Sequence, residues 1–395
     1  MTDTHMTYPF DTDKLTVDPR YAELREGPLH RVRLPYGEPA WLATRYADIK
    51  TVLADPRFSR AAAVGRDEPR TRPHAVGPGT IMSFDPPEHS RLRRLASQAF
   101  TVRRVEALRV RAQQIADELI DTMLAKGAPA DLVADFGLPL PTIVICELLG
   151  VPVADRGEFR VWSDAFMSTT KYTPEQVKSY LAELTDYMAG LIVERRKSAR
   201  DDLLSALVAA RDNDDRLTEE ELLILAQSLL VAGHETTASQ IPNFVYTLLT
   251  HPEQLAALRT DPDLIPQAVE ELLRYVPLGT GGGLPRYAVE DVQLGAVTVR
   301  AGEPVLVALH SANRDETVFT RPDELDLLRP PTSHISFGHG AHHCLGAPLA
   351  RMELQVAIAT LVNRVPGLRL TREHDIVWKT GVSTRGPERM PITWG

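Results

Sequence analysis

The sequence predicts a mainly α fold of the α+β kind, and three observations carry that reading. Apolar residues recur at helical spacing over long stretches, as in residues 105–124 and 174–195. Short alternating stretches at residues 41–44, 297–300 and 304–307 fit strands. Thirty prolines are spread between the helical stretches as punctuation and are not gathered in a linker. At 395 residues the chain exceeds a typical domain. It nevertheless has no Gly/Ser-rich tract, repeat or low-complexity segment, so residues 1–395 are read as a single domain.

The chain begins with polar and acidic residues around Thr2, Asp3 and His5, which is neither a signal peptide nor an anchor. No apolar run approaches the roughly 20 residues of a membrane span. Two cysteines in unlike settings argue against a disulfide and for a reducing compartment, hence a cytoplasmic protein. A net charge of −9 speaks against nucleic-acid binding.

Four segments carry chemistry. In the first, Asp85-Pro86-Pro87 breaks the chain before a helix that sets His89 and Arg93 four apart on one face. The ordinary alternative is a solvated basic face. In the second, a helix opens with a capping box of Thr218 and Glu221 and runs to about Thr250, where His251-Pro252 stops it. Pro242 should kink it. Its first half is apolar nearly all round, so Gly233, Glu235, Thr236 and Thr237 fall in a buried helix where they are locally unfavourable. Glu235 either pairs with a basic neighbour or serves a function. The third segment sets Glu271 and Arg274 three apart on one helix face.

The fourth segment runs Phe337-Gly338-His339-Gly340-Ala341-His342-His343-Cys344-Leu345-Gly346. Its glycines let the backbone bend tightly and approach a flat partner. Pro348 belongs to the first turn of the helix that follows. The N-terminal dipole of that helix stabilises a thiolate at Cys344. Such a thiolate is a metal ligand, a nucleophile or a redox group. Zinc held by His339, His342, His343 and Cys344 would need four ligands within six residues to turn to one tetrahedral centre. Cys146, in an apolar run, reads as a buried small hydrophobe.

The pattern Phe-Gly-x-Gly-x-His-x-Cys-x-Gly fixes six positions over ten residues and resembles the haem-binding loop of the cytochrome P-450 family, the haem-thiolate monooxygenases. The other segments follow in that family's order, and the likeness extends from about Pro39 to Pro391. It is closest to the soluble bacterial, actinomycete type. The family's usual Phe-Asp ahead of the loop appears here as Leu325-Asp326, which leaves the ligand untouched.

The resemblance implies a helix-rich body with a smaller β lobe, and haem b (iron protoporphyrin IX) between distal and proximal helices. It implies Cys344 as the iron ligand, with Phe337, Gly338 and Gly346 in the cofactor loop. His89, Arg93, Arg286 and His342 would bind the haem propionates. Glu235 and Thr236 would form the acid–alcohol pair that relays protons to bound dioxygen. Glu271 and Arg274 would be a structural pair, completed by Arg329 or, failing that, Arg314. Substrate contacts would come from Met82, Ser228, Val231, Ala232, Gly282 and Val382. The glycines of residues 278–283 would leave room for a bulky apolar small molecule, such as a macrolide, terpenoid or steroid, to be hydroxylated or epoxidised. Two electrons would come from ferredoxin and ferredoxin reductase, docking on a cluster of Arg91, Arg93, Arg94, Arg103, Arg104, Arg109 and Arg111. The enzyme would act as a monomer. A gas-sensing or electron-carrying haem protein and a peroxide-using enzyme of the same fold are the alternatives, and the Glu235-Thr236 pair argues against both.

Overall fold

The computed structural model describes residues 5–10, 13–75, 77–97, 100–152, 155–212, 217–281, 283–330 and 333–395. The chain forms two compact units, each discontinuous in sequence. One comprises Met1–Arg91 and Glu270–Cys344, the other Leu92–Val269 and Leu345–Gly395.

The first unit is built on a six-stranded mixed sheet. Its order is Met6–Thr7, His30–Arg33, Ala40–Ala43, Pro304–Val307, Arg286–Ala288, Phe58–Ser59. Ala40–Ala43 runs antiparallel to His30–Arg33 and parallel to Pro304–Val307, with Leu42 opposite Leu306. The alternation read at residues 41–44 and 304–307 is thus a central pair, and it is buried because both faces are covered. Val32, Leu42 and Leu306 fill one side with Tyr8 and Tyr21. Ile49, Val52, Val305 and Phe319 fill the other. Residues 297–300 also form a strand, Val297–Val299, in a separate hairpin with Val292–Leu294.

The structural pair of this unit is buried. Arg274 Nε and Nη2 donate to Glu271 at 2.7 and 2.8 Å. Arg329 Nε donates to both carboxylate oxygens at 3.1 Å. The third member is therefore Arg329. Arg314 turns instead to the Pro322 and Tyr275 carbonyls and to Asp323.

In the second unit the stretches read as amphipathic helices become Val102–Lys126 and Pro174–Lys197. The long helix spans Glu219–Leu249 and continues through Pro242. Its capping box is formed as the sequence predicts, with Glu221 N–H on Thr218 Oγ1 at 3.1 Å and Thr218 N–H on Glu221 Oε2 at 2.8 Å. It packs against Pro139–Leu149 and Ala347–Arg364. Gly233 makes the first contact possible, since a Cβ there would stand 2.4 Å from Ile145 Cδ1. Cys146, on the same partner helix, is fully buried. Among the described residues no helix is long and apolar enough to cross a membrane.

Candidate active site

The cysteine loop is a chain of tight turns. Gly338 and Gly340 adopt φ of 73° and 71°, where side chains other than glycine are strained. The Cys344 N–H closes the loop on the Phe337 carbonyl at 2.9 Å. Cys344 is exposed and in no disulfide. The glycines differ in task. A Cβ at Gly340 would stand 2.2 Å from the Leu53 carbonyl, so that position serves packing against the Tyr46–Ala54 helix. Gly346 has nothing within 4 Å of a built Cβ, leaving open space at the N-cap of Ala347–Arg364. Pro348 lies in the first turn of that helix, as read from sequence.

Beside this loop the first unit collects cations. The His89 and His342 rings lie 4.1 Å apart. Burial, then the charges of Arg286 and His89, push His342 down to about 3, so it is neutral at physiological pH. Burial and neighbouring Arg60 lower Arg286 to about 10, still protonated at neutral pH. The nearby acids are engaged elsewhere. Asp85 accepts from the Arg60 and Ala61 N–H groups and from the Ser59 hydroxyl. Glu68 takes Arg60 in a buried pair at 3.1 Å. Arg286 Nη1 and both ring nitrogens of His342 are buried without a hydrogen-bond partner. Orphaned buried polar groups are costly, and the charge of Arg286 makes the pocket they share positive, which fits a group bearing carboxylates. Arg93, further along the helix Glu88–Ser97 that carries His89, is half-buried.

On the long helix, accessibility follows a strip. Ser228, Ala232 and Thr236, at i, i+4 and i+8, are exposed or half-buried on a mostly buried rod. The Thr236 hydroxyl donates to the Ala232 carbonyl at 3.2 Å, and Ser228 to that of Ile224 at 2.7 Å. Val231 is buried on the neighbouring strip, with Glu235. Glu235 has the basic neighbour that the sequence left open: Lys379 Nζ lies 2.6 Å from Oε1. His234 is fully buried between Ser163 and the Leu230 carbonyl.

Met82 is part-exposed, and its carbonyl takes Arg60 Nε at 3.1 Å. Val382 is buried and bridges to Ser168. Gly282 lies outside the described residues. Of its neighbours, Gly281 has no room to spare, because a Cβ there would meet Pro9 and Tyr8 at 2.9–3.0 Å. That glycine serves close packing. The basic cluster is also partly engaged: Arg109 binds Glu106, and Arg111 binds Glu147. Arg94, Arg103 and Arg104 remain exposed.

Sequence reasoning missed three groups. Arg60 had no local signal, being one arginine in a loop. Lys379 lies 144 residues from its partner. Glu353 did carry a signal, an acid within the apolar stretch Met352-Glu353-Leu354. It is fully buried, and neither carboxyl oxygen meets hydrogen-bond geometry. Burial raises its pKa well above the usual carboxyl range, and the nearby Thr237 hydroxyl offsets only part of this. Among the described residues no cluster of three or more His, Cys, Asp or Glu side chains is placed to hold a metal ion.

Comparison with known proteins agrees. The cytochrome P450 family model matches residues 10–366. The chain is 56% identical over 390 residues to mycinamicin IV hydroxylase/epoxidase of Micromonospora griseorubida, covering 98% of each. It is 53% identical over 397 residues to nocardicin C N-oxygenase of Nocardia uniformis subsp. tsuyamanensis, covering 100% of this chain and 99% of that one. The crystal structure of HinD matches with a TM-score of 0.96 at 49% identity, covering 100% of both chains. With a family match over most of its length and relatives of this identity, the chain belongs to the cytochrome P450 family and is a haem-dependent monooxygenase of the actinomycete type.

Proposed function

We propose that this monooxygenase hydroxylates or epoxidises a bulky, apolar small molecule, holding haem b through Cys344 and drawing two electrons from ferredoxin and its reductase. The observation that carries the reading is the positive pocket beside the Cys344 loop, where Arg286 Nη1 and both ring nitrogens of His342 are buried without a hydrogen-bond partner. Bound haem supplies the activation of dioxygen. The protein supplies the rest. Cys344 presents its sulfur at a helix N-terminus, where the dipole favours the anion. His89, Arg93, Arg286 and His342 hold the propionates, and Phe337, Gly338 and Gly346 cradle the ring. Thr236 and Glu235 move protons in a largely dry helix core.

The substrate would lie against Met82, Ser228, Val231, Ala232, Gly282 and Val382. Two relatives of nearly equal identity, one named for hydroxylation and epoxidation of mycinamicin IV and one for N-oxygenation of nocardicin C, support a natural-product substrate. The second relative also favours a second reading, oxygenation at nitrogen. Exposed Arg94, Arg103 and Arg104 suit an acidic electron donor. Both units are interrupted in sequence and one family model runs through both, which supports a single domain. The enzyme would act as a cytoplasmic monomer.

The test is the carbon-monoxide difference spectrum of the reduced protein, followed by product analysis with mycinamicin IV as probe. A thiolate-type spectrum that disappears in Cys344→Ala is expected. Haem retained equally by that variant overturns the ligand assignment, and oxygenation at nitrogen alone favours the second reading.

A further inference from the structure

A second strip of the long helix runs beside the open one. Glu235, Ser239 and Asn243 recur at i, i+4 and i+8, and all are buried. This strip seats the hairpin Val377–Trp378/Pro387–Arg389. Lys379 Nζ donates to Glu235 Oε1 at 2.6 Å and to Ser239 Oγ at 2.9 Å. Asn243 Nδ2 donates to the Arg385 carbonyl at 3.1 Å. Gly386 presses so closely that a Cβ there would stand 3.0 Å from Asn243 Oδ1. Trp378 stacks edge-on to Tyr246 at 5.1 Å. The Lys379 N–H closes the hairpin on Gly386 at 2.9 Å.

The tip of the same hairpin is fastened at its other side. The N–H groups of Thr169, Thr170 and Lys171 all converge on the Gly381 carbonyl, at 2.7–3.0 Å. Lys171 Nζ binds Asp164 at 2.8 Å and Glu388 at 3.3 Å. Lys379 is thus fixed from both directions, and its ammonium pairs with Glu235. The carboxylate it holds is only 4% exposed. A buried ion pair of this kind adds little stability over a well-packed apolar pair. What it provides is direction. It turns the Glu235 carboxylate along the 235–239–243 strip, one residue away from the open strip of Thr236.

We propose that Lys379 is a positioning residue for the proton relay, setting where the Glu235 carboxylate stands relative to Thr236. This rests on the relay reading of Glu235 and Thr236 above. The test uses the haem-loaded protein with its reductant and dioxygen, and compares K379M, K379R, E235Q and the double variant E235Q/K379M. In K379M, dioxygen consumption should slow about tenfold with a larger solvent deuterium isotope effect. K379R keeps a cation at the site and should recover most of the loss. K379M should add nothing once E235Q is present. Independently of turnover, the infrared carboxylate band that E235Q removes should shift in K379M and return in K379R. Should K379M fail to load haem, K379Q, which still donates to Ser239, takes its place.

An unchanged isotope effect and band in K379M, or an effect that persists undiminished in the E235Q background, overturns the proposal. Failure of the underlying relay reading looks different: E235Q itself would then match the parent.

Discussion

Thr236 stands on the open strip of its helix with its hydroxyl tied to Ala232 at 3.2 Å. Under the proposed relay, Thr236→Ala should divert reducing equivalents to peroxide. The check is peroxide formed per dioxygen consumed; a ratio equal to the parent's would exclude the hydroxyl from the relay. Glu353 calls for the opposite experiment, one on stability. Its folded-state pKa lies well above the ordinary value of 4.5. Above that pH the unfolded chain releases the proton and the folded chain keeps it. Stability therefore falls as pH rises, by at most about 1.4 kcal/mol per unit until the buried group also ionises. Glu353→Gln removes the slope. The variant should gain on the parent as pH is raised from 5 towards 8, measured as the difference in unfolding midpoint across that range.

At the scale of elements, the contact between Pro139–Leu149 and the long helix depends on Gly233. Alanine there would gain up to about 1 kcal/mol in helix propensity. It would also drive a methyl group to 2.4 Å from Ile145 Cδ1, and Ile145 is fully buried. Overpacking of that kind costs about 1–3 kcal/mol, so the net effect of Gly233→Ala should be destabilising. Adding Ile145→Ala should recover part of it. Thermal unfolding of the two single variants and the double variant decides the point, and a stable G233A protein would show that the helices can part at no cost. The sequence signals for this helix were legible because caps and stops act within a few residues. Thr218 and Glu221 announced its start, and His251-Pro252 its end. The glycine inside it was legible as an anomaly only, since its reason sits on another helix 88 residues earlier (145 to 233).

For the molecule as a whole, the Glu271 network ties the helix Ile265–Tyr275 to the chain that leads into the cysteine loop. Besides Glu271, Arg274 donates to the carbonyls of Asn313, Pro322 and Glu324. Arg274→Met would leave Glu271, 3% exposed, with Arg329 as its remaining cation, and would take one donor each from the Asn313, Pro322 and Glu324 carbonyls. Losing one partner of a buried pair costs about 3–5 kcal/mol. We expect a large drop in unfolding midpoint together with poor haem retention, and a variant as stable as the parent would contradict the network's role.

What the sequence determined by itself was local: the turn-forming glycines before Cys344, the helix behind it, the apolar rod interrupted by Gly233, Glu235 and Thr236, and the three-residue spacing of Glu271 and Arg274. Each follows from backbone geometry within one or two helical turns. Only the tertiary structure decided which distant cation meets which acid. Arg329 was chosen over Arg314 because it alone reaches Glu271, while Lys379 came from the far end of the chain to Glu235. The physical reason is desolvation. A buried charge must find a partner, and that partner is set by which side chains chain closure brings within about 3 Å, a distance that no spacing along the sequence records.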